Sequence, residues 1–333
     1  MGWGDGLPVV APTRARVEGL LAAIDRPPDL ELGVMPPRHG VVTIQALAVN
    51  AVMAGCRPEH FPVVVTAVEA MLEPAFNLFA VQATTHPCSP LLIVNGPVAA
   101  ELGINSRYGA FGPGFRANAV IGRAVRLILN NVGGASAGIL DRATQGQPSK
   151  FAFCVAENEA ESPWESLHVE MGYEPGQSTV TVVGAENPHN INDHASNEAD
   201  GVLATVAGSL AQMGSNNAYL FGGPVLAFGP EHAAIVAGAG HSKDDVRQYV
   251  FDQARIPRWR WAQGGMAGMQ GERFPDDDAI PPVSDPADLI IVVIGGFGRH
   301  SCWMPTFGAS TQAVTRPIAR ADGTPVNSVL DLR

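Results

Sequence analysis

Between Glu186 and His194 the chain places Glu186, Asn187, His189, Asn190, Asn192, Asp193 and His194 within nine residues. Imidazole, carboxylate and amide groups at this density suit metal ligation or acid–base work with oriented hydrogen bonds. The competing reading is a tight loop in which Asn and Asp cap their own backbone. A divalent-metal site would take His189, Asp193 and His194, with Glu170 as a further ligand from the run Glu157, Glu159, Glu161, Glu165, His168, Glu170. That run is otherwise a solvated acidic face, although Trp164, Leu167, Val169 and Met171 interleave its later part.

A second constellation is Gly295-Gly296-Phe297-Gly298-Arg299-His300-Ser301-Cys302. Its glycines let backbone N–H groups approach an anion, so Gly296 and Gly298 are candidate substrate-binding positions and His300 a candidate acid or base. Ser301 and Cys302 are candidate nucleophiles, each needing an adjacent base; the alternative for Cys302 is a buried, inert thiol. The GGxG spacing, with Trp303 and Pro305 opposing a helix behind it, carries no NAD or nucleotide signature. The catalytic candidates are therefore His300, Ser301, Cys302, Asp193 and His194. Asn95, Arg116, Asn118, Asn190 and Asn192 join the two glycines as substrate-binding candidates, Arg116 because a guanidinium at a helix start can hold a carboxylate. The run from His189 to His194 superficially resembles the HxHxDH motif of metallo-β-lactamases. The middle His is missing and the later ligands have no counterpart, so that family is rejected.

Positioning these groups falls to a set of alternating strands and helices. Thr43 caps a predicted helix with Ile44, Leu47, Ala48, Ala51 and Val52 on one face, closed by Gly55. Pro58 opens another, with Phe61, Val65, Val68 and Met71 as its stripe. Leu91–Val94 and Leu226–Phe228 are short apolar strands that each run into Gly-Pro and a helix, so that Asn95 and the pair Glu231-His232 follow strand ends directly. A third such strand, Leu289–Ile294, empties into the glycine loop. Further elements are a helix over Arg116–Asn131, a strand over Thr179–Val183, a helix over Asp200–Met213 and another capped by Ser242. Continuous apolar strands alternating with helices predict an α/β fold with largely parallel sheets flanked by helices, in two pseudo-repeated halves, 1–150 and 151–333. Residues 258–285, rich in Gly, Pro, Met and Asp, are expected to form an irregular excursion. In such sheets ligands bind outside the carboxyl ends of the strands, where the candidates lie.

Bulk properties exclude several classes. The 333 residues are 46% hydrophobic and 16% charged, which gives ample core. Twenty-one basic against 32 acidic residues, a formal charge of −11, argue against a nucleic-acid partner. No apolar run approaches the roughly 20 residues of a membrane span, and the start MGWGDGLP has neither a basic nor an apolar leader region, so a cytoplasmic protein without a membrane partner is expected. Cys56, Cys88, Cys154 and Cys302 show no CxxC pairing, so neither a disulfide framework nor a structural zinc site is indicated.

The blocks AVMAGCRPEHFPVVVTAVEAM, LLIVNGPVAAELGINS, GPGFRANAVIGRAVRL, SPWESLHVEMGYEP, PHNINDH and GGFGRHS resemble those of bacterial proteins associated with the UGSC family of thiol or selenol proteins, over most of the chain. That family's signature, Cys or selenocysteine followed by Gly-Ser-Cys, does not occur here. The resemblance therefore implies no redox activity and assigns no catalytic residue. The functional expectation is an enzyme, a hydrolase or lyase acting on a small polar or anionic molecule through loop His, Asp and Glu residues, as a homo-oligomer, with a divalent metal as an open alternative. A thiol-dependent redox or transfer protein using Cys302 or Cys56, and a non-catalytic binding subunit, are the competing readings.

Overall fold

A computed structural model of the chain describes residues 2–264 and 278–332. Of the excursion expected over 258–285, residues 265–277 lie outside the described residues; the helix Arg258–Gln263 precedes them. In chain order the strands are β1 (Glu31–Met35), β2 (Gly40–Thr43), β3 (Ser89–Asn95), β4 (Cys154–Ala156), β5 (Thr179–Ala185), β6 (His189–Asn192), β7 (Val225–Phe228), β8 (Ile256–Pro257), β9 (Ala279–Ile280), β10 (Ile290–Val293), β11 (His300–Met304) and β12 (Val314–Pro317).

The fold is mixed α/β, as the alternation of strands and helices predicts, and it falls into two compact units. The first comprises Met1–Glu157, His168–Gly184 and Ala313–Arg333, and the second Asn158–Leu167 and Ala185–Gln312. The units interleave along the chain rather than dividing it at 150/151, because the last strand, β12, pairs with β5 in the first unit.

In the first unit the sheet order is β12-β5-β3-β4, and every residue of β3 and β5 is buried, as continuous apolar strands require. The helix expected after Thr43 runs Ile44–Ala54; Thr43 Oγ1 accepts the Ala46 N–H at 3.1 Å and Gly55 closes it at φ 92°. It packs on the helix Arg116–Asn131.

In the second unit the order is β10-β7-β11-β6. Here the expectation of a largely parallel sheet needs correction. β10 and β7 are parallel, but β11 is antiparallel to both β7 and β6. Only residues 294–299 separate β10 from β11, whereas a parallel return needs a crossover of about a dozen residues or more. β12 likewise runs antiparallel to β5. One face of the second sheet presents Ile191, Leu226, Phe228, Ile291, Val293 and Trp303 to a shared core. Opposite them the helices Ala199–Leu210, Pro230–Gly238 and Lys243–Gln253 contribute residues such as Val206, Val236 and Val250. The last helix starts at a capping box between Ser242 and Asp245, as its sequence predicts. Among the described residues no single helix is long and apolar enough to cross a membrane.

Candidate functional site

The register of β11 on β6 decides which side chains meet. His300 opposes Asn192, Ser301 opposes Ile191, Cys302 opposes Asn190 and Trp303 opposes His189. Since successive residues of a strand point to opposite faces, His300, Cys302, Asn190 and Asn192 share one face. Ser301 and Trp303 turn with Ile191 to the core side.

On the first face His300 Nδ1 lies 2.8 Å from Asn190 Oδ1, and His300 Nε2 lies 3.1 Å from His194 Nε2. The amide oxygen only accepts, so His300 carries a proton on Nδ1, and the neutral ring then presents a lone pair at Nε2. Opposite that lone pair His194 donates from its own Nε2. The two rings meet edge to face, with centroids 4.9 Å apart and planes at 77°, and both side chains are exposed.

The loop that presents His194 is braced from two sides. Asp193 Oδ1 accepts the N–H groups of Ala195 (3.1 Å) and Ser196 (2.9 Å), and Oδ2 accepts the Thr205 hydroxyl at 3.0 Å. These bonds, the Ser196 N–H foremost, pull the Asp193 carboxyl down to about 2. The Arg299 guanidinium donates to the carbonyls of His194 (3.1 Å) and Ser196 (3.2 Å) and to Asn197 Oδ1 at 2.9 Å.

The glycine loop does bind an anion through its backbone, but the anion is internal. Glu231 Oε2 accepts the N–H groups of Gly298 (2.6 Å) and Arg299 (2.7 Å). Arg299 takes φ 45° and Gly298 φ 142°, a concave pair of N–H groups of the kind that cradles anions. The Arg299 N–H, then that of Gly298, lower the Glu231 pKa. Gly298 is therefore engaged by the protein itself rather than open to substrate. Gly296 is half-buried in the same loop.

Behind the sheet Ser301 is buried, its Oγ 3.1 Å from the Gly229 N–H and 2.8 Å from His232 Nδ1. His232 Nε2 lies 3.0 Å from the Asp193 carbonyl, which fixes the proton on Nε2 and leaves Nδ1 to accept the Ser301 hydroxyl. A serine and a histidine thus meet in hydrogen-bonding geometry, with His232 wholly enclosed.

Several expected site residues have other duties. Asp193, read as a catalytic group and metal ligand, has both oxygens committed to the turn, and a carboxyl that ionises near 2 is a poor base. His189 lies on the opposite face from His300, its ring edge-on to Trp303 at 6.3 Å. Glu170 belongs to the other compact unit. Among the described residues no three His, Cys, Asp or Glu side chains gather into a metal-holding group. Asn118 is buried in the first unit, where it accepts the Asn105 N–H and donates to the Asn105 and Ala110 carbonyls, so it shapes a loop. Arg116 is exposed there and donates to the Gly55 carbonyl. Asn95 is buried in that unit and donates to Glu157 Oε2 at 2.6 Å. Burial pushes the Cys302 thiol up to about 12 and the Cys56 thiol higher still, whereas a reactive thiol needs its pKa lowered.

The sequence placed His194, His300, Asn190 and Asn192 among the candidates but did not pair them. It missed Asn197 and Thr205 as braces; the available signal was a polar residue within reach of a Gly-flanked cation or an Asx turn. No known family, curated protein or solved structure gives a significant match to the chain.

Proposed function

We propose that the protein is a hydrolase or lyase acting on a small polar or anionic molecule, with His300 as base and His194 as hydrogen-bond donor to the developing negative charge. The observation that supports this most is the Asn190–His300–His194 chain. A proton acceptor held in one tautomer by a third group is what positioned proton transfer requires. In the resting protein the two imidazoles satisfy each other. A substrate or water O–H entering between them donates its proton to His300 Nε2, while the His194 Nε2–H turns to the oxygen that gains charge. The imidazolium so formed returns that proton to the leaving group, so the protein ends unchanged.

A divalent cation between the two facing Nε2 atoms is a second reading. It is favoured by the Asn190 bond, because ligating imidazoles usually donate their far N–H to an oxygen. Such an ion would supply Lewis-acid activation of a bound oxygen.

The test is a panel of esters, lactones, amides and hydroxy acids assayed with the wild type, His300→Ala and His194→Ala, alongside elemental analysis of all three. Turnover of one class that falls about 10²- to 10⁴-fold in His300→Ala is the expected result. Stoichiometric metal that disappears in both variants selects the second reading. Turnover unchanged in His300→Ala, or nitrogen NMR showing the His300 proton on Nε2, defeats the assignment.

A further inference from the structure

A cleft of about 380 Å³ opens in the first unit beside the helix Arg116–Asn131, far along the chain from the imidazole pair. Its charged lining groups are Asp5, Arg126, Asp141 and Lys150. Asp5 is neutralised by Arg123, which donates to its two oxygens at 2.7 and 2.8 Å. Asp141 is shared: Lys150 Nζ lies 2.7 Å from its Oδ2 and Arg126 Nη1 3.9 Å from the same oxygen. Two enclosed cations thus face one carboxylate, and all three side chains are less than a sixth exposed. Arg126 is held in place by bonds from Nε to the Lys150 carbonyl (2.8 Å) and from Nη2 to Ser89 Oγ (3.4 Å). Nη1 makes the long ion pair, and Arg126 is among the residues that line the opening. Burial, and then the neighbouring Arg126 charge, lower the Lys150 pKa, which fits a site short of negative charge.

We propose that this cleft binds a small organic monocarboxylate, its carboxylate on Arg126 and Lys150 and its body against Phe151. One surplus positive charge matches one carboxylate, whereas a phosphate dianion would overcompensate it. The planar guanidinium suits a carboxylate in geometry. Asn130 and Ser136 add polar groups at the lining, and Ala135, Ala137 and the half-exposed Phe151 supply an apolar wall, so a carboxylate with a short apolar body fits better than a bare one. The volume is at the small end of ligand sites, which run from about 300 Å³ upward.

The test is calorimetric titration of the full chain with benzoate, acetate and inorganic phosphate. Benzoate is expected to bind saturably and more tightly than either of the others. Lys150→Gln should weaken it about tenfold or more, as loss of a charge-assisted hydrogen bond predicts. Asp141→Asn, which removes the competing carboxylate, should tighten it; this variant keeps the test decisive should Lys150→Gln fail to fold. His300→Ala should leave benzoate binding unchanged, which separates this site from the imidazole pair. Absence of saturable benzoate binding, tighter binding of phosphate, or weaker binding in Asp141→Asn overturns the proposal.

Discussion

At the end of β3 the chain turns through Gly96 and Pro97 into the helix Pro97–Glu101, and at the end of β7 it turns through Gly229 and Pro230 into the helix Pro230–Gly238. In both corners the glycine lies so close to a backbone carbonyl, that of Gln177 or that of His300, that a side chain would collide with it. In both, the next residue after that carbonyl is a buried serine accepting a backbone N–H from the corner: Ser178 from Val98 at 3.0 Å, Ser301 from Gly229 at 3.1 Å. The two sheets also share a pattern in which a parallel pair, β3 with β4 or β7 with β10, is followed by one further strand and then an edge strand antiparallel to it. What differs is the chemistry. The first corner holds a buried Asn95–Glu157 pair, and the second an exposed imidazole pair with a guanidinium beside it. Glycine, proline and serine recur because the corner needs them to pack. Gln177 stands where His300 does but carries no imidazole, and the proposed function rests on the pair His194 and His300 that the first corner lacks.

The largest difference is expected on truncating the residue whose carbonyl meets each glycine. His300→Ala is expected to lower turnover by about 10²- to 10⁴-fold, while Gln177→Ala leaves it unchanged. Equal losses in a steady-state assay would show that the corners act through structure alone. Next come the glycines. Gly96→Ala and Gly229→Ala should each cost about 1–3 kcal/mol in urea unfolding, as overpacking against backbone does. Gly96→Ala should be the worse, because Gly96 also sits at φ 82° while Gly229 has an ordinary φ of −71°.

The two buried serines carry smaller effects. Ser178→Ala should lose about 1 kcal/mol of stability and Ser301→Ala about 2 kcal/mol, because the latter leaves both the Gly229 N–H and His232 Nδ1 unpartnered, with turnover retained in both. Loss of turnover on Ser301→Ala alone would make Ser301 a nucleophile served by His232 and end its equivalence with Ser178. The brace under His194 depends on the charge of Asp193. Asp193 ionises in the folded protein near 2, below the ordinary carboxyl value of about 3.9. Its stabilisation is therefore fully present above the ordinary value and is lost as pH falls through the folded one. Asp193→Asn should be less stable than wild type by about 1 kcal/mol at neutral pH, with the gap closing toward pH 2 in acid-unfolding curves.

Local sequence determined much of the scaffold. The helix after Thr43, the helix Arg116–Asn131 and the three apolar strands β3, β7 and β10 were legible because their signals are short-range: caps, a closing glycine, a stripe at helical spacing, a continuous apolar run. The polar strand β6 and the strand β11 carry no such signal, and their residues read as loops. Only pairing makes them strands, and only their register places His300 rather than Ser301 on the open face; a slip of one residue would exchange the two. Residue types alone also left Asp193 and Glu231 indistinguishable from catalytic carboxylates. Tertiary structure decided their roles, because a carboxylate surrounded by fixed backbone N–H groups is already spent, and which N–H groups surround it depends on loops distant in sequence.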